Sequence, residues 1–171
     1  MTHQLQDLVR HNTWANRRLM AFLKAQPASV LELNILPGGF DNIINTMNHT
    51  INSEASYLRR LSGAWEKVPW DTQVPVGLDV LDERLELIAG IWESLLQRDL
   101  DADAPNESYG DNQLYFTPFG VIFTQAIHHG SEHRCQISDI LGFHGIEPPD
   151  LSSWDYALDT GRSWLISEDE S

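Results

Sequence analysis

Between residues 78 and 98, Leu78, Leu81, Leu85, Ile88, Trp92 and Leu95 recur at alternating steps of three and four. That interval stacks side chains along one face of an α-helix and does not fit a β-strand, whose faces alternate with a period of two. Three further segments repeat the pattern. Residues 3–24 carry Leu5, Leu8, Asn12, Ala15, Leu19 and Phe22, with Asn12 a polar break in the stripe and Pro27 just beyond the end. Residues 41–62 follow the breaker Leu36-Pro37-Gly38-Gly39. Here Phe40, Ile44, Met47, Ile51, Ala55 and Leu58 form the stripe, Asp41 is the expected N-cap and Gly63 the stop. Residues 118–141 begin at Pro118, where a missing N–H costs nothing, and stop at Gly142. β-Branched alternation appears only in fragments, at 73–76 and 114–117. The sequence therefore predicts an all-α fold, a four-helix bundle with long connecting loops. One loop, 65–77, bears tryptophan and proline; another, 99–113, is acidic and expected to be exposed.

A chain of 171 residues closes one core and is too short for two ordinary domains. Residues 1–166 are read as a single domain, with Trp154, Tyr156, Leu158, Trp164 and Leu165 laying a C-terminal segment against the body. Residues 167–171 are read as an acidic frayed tail. The charge is −14, from 25 Asp+Glu against 11 Lys+Arg, and it is uneven. Residues 1–67 hold 7 bases and 5 acids, residues 68–171 hold 4 bases and 20 acids. Such a surface repels nucleic acid and anionic membranes. The longest charge-free apolar stretch, 114–127, falls short of the roughly 20 residues that span a bilayer. The single cysteine, Cys135, has no internal partner for a disulfide, and the N-terminus lacks the order of a secretory signal, so the cytoplasm is the expected compartment. Exposed helix faces and the Trp-rich tail leave a homodimer open.

The chemistry-bearing segment is His128-His129-Gly130-Ser131-Glu132-His133-Arg134-Cys135-Gln136. The seam of its helix reads Phe119, Ile122, Ala126, His129, His133, Gln136, Ile140, which places His129 and His133 where core residues are expected, stacked at i and i+4. Two imidazoles facing an apolar interior need partners for their nitrogens, and one divalent metal satisfies both. A third ligand must come from another helix. His128 lies on a neighbouring face, His144 past the helix end and His3 near the terminus, which leaves His49 and then His11. His49 lies opposite Ile44, Met47 and Ile51, on a face with Asn45, Asn52, Ser53 and Ser56; these small uncharged polar residues suit a ligand pocket. Cys135 is read as a small buried hydrophobe rather than a fourth ligand. Glu54 and Glu132 are read as surface charges, and the tryptophans as packing residues.

These residues resemble the DinB/YfiT-like family of metal-binding four-helix bundles, over nearly the whole chain. The resemblance rests on Asn12-Thr13-Trp14-Ala15-Asn16-Arg17-Arg18-Leu19, on Met47-Asn48-His49-Thr50 followed by Ser53-Glu54 and Tyr57 to Leu61, on His129 to Gln136, and on the Gly142 to Pro149 ending. It implies His49 as the third ligand beside His129 and His133. It also carries one departure, since Cys135 stands after the final His-Arg where the family commonly has glycine.

Function is expected to follow from one divalent metal per chain, zinc or nickel, on His49, His129 and His133, with an open fourth position. Such a metal lowers the pKa of a bound water or binds and deprotonates a thiol. The resemblance implies the second, an S-transferase that uses a small-molecule thiol and an electrophilic substrate. The sequence assigns no side chain as acid or base. The alternatives are a non-catalytic metal-binding stress-response module, in which Cys135 or a carboxylate would close the fourth position, and a metal-dependent hydrolase.

Overall fold

The computed structural model describes residues 3–35, 42–62, 68–110 and 113–164. Five α-helices, α1 (His3–Lys24), α2 (Ile43–Ser62), α3 (Leu78–Leu96), α4 (Phe119–Phe143) and α5 (Ser153–Asp159), make up most of it, with a short 3-10 turn at Ala28–Glu32. One two-stranded sheet, β1 (Pro105–Gly110) and β2 (Gln113–Pro118), precedes α4. The four long helices pack together: α2 lies against α3 and α4, and α1 against the same two. No helix among the described residues is long and apolar enough to cross a membrane.

The α3 seam behaves as its spacing requires, with Leu81, Leu85, Ile88, Trp92 and Leu95 fully buried. On α1 and α4 the buried row is turned by about one residue from the expected one. Leu5 and Leu8 stand 38% and 42% exposed; of the expected stripe Asn12, Ala15 and Leu19 are buried, joined by Val9, Asn16, Met20 and Leu23 to one side of it. On α4 a buried row runs Phe123, Ile127, Gly130, Arg134, Ile137 and Leu141, while Ile122, Ala126 and Ile140 are buried beside it. Polar residues lie on these rows: Asn12 and Asn16 meet Arg134 in the interior.

The acidic loop expected at 99–113 is corrected by the hairpin. β1 pairs antiparallel with β2, Pro105 opposite Pro118 and Gly110 opposite Gln113. Leu114, Tyr115 and Phe116 are exposed, so the strands owe their order to the ladder and to anchors at its base. Asn106 Nδ2 donates to the Arg60 carbonyl at 2.7 Å, and the Phe119 N–H donates to the Ala104 carbonyl at 2.9 Å.

Helix ends differ in detail. Asn42 caps α2, its Oδ1 accepting the Asn45 N–H at 3.0 Å; Asp41, the 36–39 breaker, Phe40, Gly63 and Trp65 lie outside the described residues. α4 passes through Gly142 and ends beyond it, where Gly145 takes φ +73°, a conformation glycine adopts without strain. The C-terminal segment docks on α1 through α5, with Tyr156 buried, Arg18 paired to Asp155 and Asp159 at 2.6 and 2.7 Å, and Trp14 Nε1 donating to Asp159. Trp154 and Trp164, expected to pack, are instead 81% and 77% exposed. Polar contacts hold this segment, so its tryptophans are not needed to bury it. Leu165 and the 167–171 tail lie outside the described residues.

Between α1 and α3 the uneven charge becomes a column of ion pairs. Arg10 meets Glu93 at 3.0 Å, Arg17 meets Glu86 at 2.6 Å, and Lys24 meets Asp82 and Asp79 at 2.8 and 3.0 Å. Each pair is exposed, so solvent screening leaves it little net stability.

Candidate metal centre

Two helices supply three imidazoles. His129 and His133 stand one turn apart on α4, and His49 on α2 reaches across to both, because α2 and α4 pack along their length. His49 Nε2 is 3.0 Å from His129 Nε2, which is 3.2 Å from His133 Nε2, and ligand atoms of the three residues all lie within 4.8 Å of one another. The ring centroids are 4.4–4.9 Å apart. His129 and His133 are half-buried and His49 is exposed, so the cluster sits at the rim of the interior and not at its centre, as the seam had predicted. The turn of α4 explains this, since it gives the central positions to Gly130 and Arg134.

The protonation states suit a cation. His133 Nδ1 lies 2.9 Å from Gln136 Oε1, an acceptor, which places the proton on Nδ1 and leaves the Nε2 lone pair directed at the cluster. Burial, with His133 and His49 close by, lowers the His129 pKa to about 4, so this ring is neutral at physiological pH. Ring nitrogens gathered in this way are satisfied together by one shared cation. Tetrahedral zinc, with Zn–N of about 2.0–2.1 Å, places its ligand nitrogens about 3.3 Å apart, near the separations here. The donor set therefore fits a divalent metal of borderline softness.

The face of α2 around His49 opens on a cavity of about 360 Å³, lined by Asn45, Asn48, His49, Asn52, Ser53 and Ser56 and closed on its far side by residues 72, 73 and 75. The small polar face read from the sequence thus lines a pocket. Two of its amides are already engaged: Asn48 Oδ1 accepts the Val76 N–H and its Nδ2 donates to the Val76 carbonyl, both at 2.8 Å, and Asn52 Oδ1 accepts from Arg84 and Trp70.

The other histidines are elsewhere. His11 Nε2 contacts the Leu151 carbonyl at 2.9 Å and stacks with Trp14, His144 contacts the Asn34 carbonyl, and His128 is exposed 3.4 Å from Glu132. The structure thus brings together His49, not His11, with the α4 pair. Cys135 is exposed and outside the cluster, which corrects its reading as a buried hydrophobe; on the helix it points well away from both His129/His133 and the buried row through Gly130 and Arg134. Glu132 is at the surface, as expected.

Glu54 is also corrected: it is 2% exposed. Its Oε1 accepts from Asn12 Nδ2 at 2.9 Å and Trp92 Nε1 at 2.6 Å, and its Oε2 from Asn16 Nδ2 at 2.9 Å. Arg134 Nη1 donates to Asn12 Oδ1 at 2.8 Å and Asn16 Oδ1 at 2.7 Å, so the two amides bridge carboxylate to guanidinium. Burial pushes the Glu54 carboxyl upward, against the Trp92 bond, the charge of Arg134 and the two Asn bonds, while burial lowers Arg134 against the pull of Glu54. The polar break at Asn12 was the one sequence signal of this group.

Fold and cluster together define a class: predominantly helical proteins in which two long helices converge three histidines suited to a divalent metal. A model of the DinB family matches residues 1–162, and the chain belongs to the DinB family. None of the curated proteins compared with the chain matches it.

Proposed function

We propose that the chain is a four-helix-bundle enzyme that holds one divalent metal, zinc or nickel, on His49, His129 and His133 and acts as a thiol-dependent S-transferase. The observation that carries this reading is the convergence of three Nε2 atoms at the edge of a polar cavity. A divalent metal supplies a site that lowers the pKa of a water or thiol. The rest is the chain's own work. Gln136 fixes the His133 tautomer, and the exposed side of His49 leaves an approach from the cavity. Asn45, Ser53 and Ser56 offer neutral donors and acceptors that can orient a small thiol or its electrophilic partner. Among the described residues the cluster includes neither Cys135 nor a carboxylate, which favours an open position over a closed structural site. A charge of −14 argues against nucleic acid as a partner, and an exposed free thiol suits a reducing cytoplasm.

Elemental analysis of protein purified without a metal-affinity tag tests the site, with His49→Ala and His133→Ala beside the wild type. About one metal per chain, lost in both variants, supports it; a wild type that stays metal-free after incubation with zinc or nickel refutes it. Product formation from a thiol and an electrophile by the loaded protein then tests the transferase. Turnover of esters or amides with no thiol present would replace it with a hydrolase.

A further inference from the structure

We infer that the buried group of Asn12, Asn16, Glu54, Trp92 and Arg134 is a positioning unit for the histidine cluster, fixing how α2 and α4 are rotated so that the three Nε2 atoms meet. The inference rests on the metal reading above for its consequence, and on geometry for its substance. Gly130 follows His129 and Arg134 follows His133, and neighbours on a helix point about 100° apart, so an orientation fixed for one sets the other. Glu54 is on the same helix as His49. The group therefore grips both ligand-bearing helices from the interior while the histidines meet at the rim.

Three features show that the grip is single-valued. Each asparagine uses both ends of its amide, the oxygen on Arg134 and the nitrogen on Glu54, so flipping either amide breaks both bonds. The packing is close: a Cβ on Gly130 would lie 2.9 Å from Asn12 Oδ1 and 3.1 Å from Arg134 Nη1, so any side chain there pushes on the two atoms that make the Asn12–Arg134 bond. Finally, apolar side chains of similar volume commonly serve stability as well as a buried ion pair or better; what the polar group adds here is one defined register.

The test uses Glu54→Gln and Gly130→Ala, with Leu23→Ala as a control that opens the core without touching the group; Leu23 is fully buried. For each protein with native circular dichroism, cobalt(II) affinity is measured by competition titration and ligand geometry by the cobalt(II) absorption spectrum. We expect at least a tenfold loss of affinity and an altered spectrum in Glu54→Gln and Gly130→Ala. Leu23→Ala, though less thermostable, should bind as the wild type does. Wild-type affinity and spectrum in either group variant, or an equal loss in Leu23→Ala, overturns the inference. Should Glu54→Gln fail to fold, Gly130→Ala decides, since alanine favours the helix. If the wild type itself takes up no cobalt, the metal reading fails, and the imidazole ¹H–¹⁵N correlations of the metal-free proteins decide instead. Shifts of His49, His129 and His133 in the variants support positioning; unchanged shifts overturn it.

Discussion

Replacing Trp92 with Phe removes one donor from a buried carboxylate while keeping an aromatic ring in place. Trp92 is 1% exposed, its Nε1–H donates to Glu54 Oε1 at 2.6 Å, and its ring meets Phe123 edge-on at 5.4 Å. A hydrogen bond to a charged group contributes about 1.5–3 kcal/mol net. The lost volume, about 40 Å³ at about 24 cal/mol per Å³, adds about 1 kcal/mol. The expected cost near pH 7.5 is thus about 2.5–4 kcal/mol, or about 5–15 °C in Tm for a chain of this size. Its pH dependence carries the diagnosis. The indole bond holds the Glu54 carboxyl down against the upward push of burial, so its removal raises that carboxyl further. The folded variant then binds a proton more tightly than the folded wild type, and its deficit grows as pH rises through that range. Urea unfolding of both proteins in chelator, at pH 7.5 and at pH 5, measures this. The penalty should be smaller at the lower pH. An equal penalty at both, or one under about 1 kcal/mol at pH 7.5, refutes an ionised Glu54 held by Trp92.

Other consequences follow from the cluster and its surroundings. His129 has a folded pKa of about 4 against an ordinary value of 6.5, so between these values the unfolded chain binds more protons. Metal-free protein should therefore lose stability as pH falls from 6.5 toward 4, as thermal melts in chelator would show; a flat profile contradicts the burial of that ring. Zinc or nickel at about 100 times its Kd should stabilise the wild type by about 2.7 kcal/mol, and the same addition should leave the Tm of His49→Ala nearly unmoved. Cys135 should react with a thiol reagent in the native state, and Cys135→Ala should keep its metal content. Loss of metal in that variant would place the thiol in the site.

The four long helices were legible because their apolar steps persist for five or more positions, and on α3 every seam residue after the half-buried Leu78 is fully buried. The hairpin was not, because Asn106 and Glu107 of β1 and Leu114 to Phe116 of β2 bury no common face, and alternation arises only where one face is buried. Glu54 was read as a surface charge because a lone carboxylate is too costly to bury. The donors that make it tolerable come from α1 and α3, 38 or more positions away in sequence. The same partners lie on the buried rows of α1 and α4, so a purely apolar seam placed His129 and His133 deeper than they stand, while Cys135, off that seam, was misread by residue type alone. His49 lay on a face with no apolar stripe, and helical spacing left it beside His11; the resemblance selected it, and the structure joins it to the α4 pair.

The column of Arg10, Arg17 and Lys24 against Glu93, Glu86 and Asp82 bears on how the chain closes rather than how firmly it stays closed. The helices it joins are distant in sequence, so α1 and α3 meet through a long-range encounter. Bases at seven-residue intervals on α1, facing acids spaced seven and four apart on α3, attract over about 8 Å in physiological salt and favour the antiparallel approach. Because these pairs are exposed in the finished fold, added salt acts chiefly on the speed of that encounter and leaves its final depth nearly untouched.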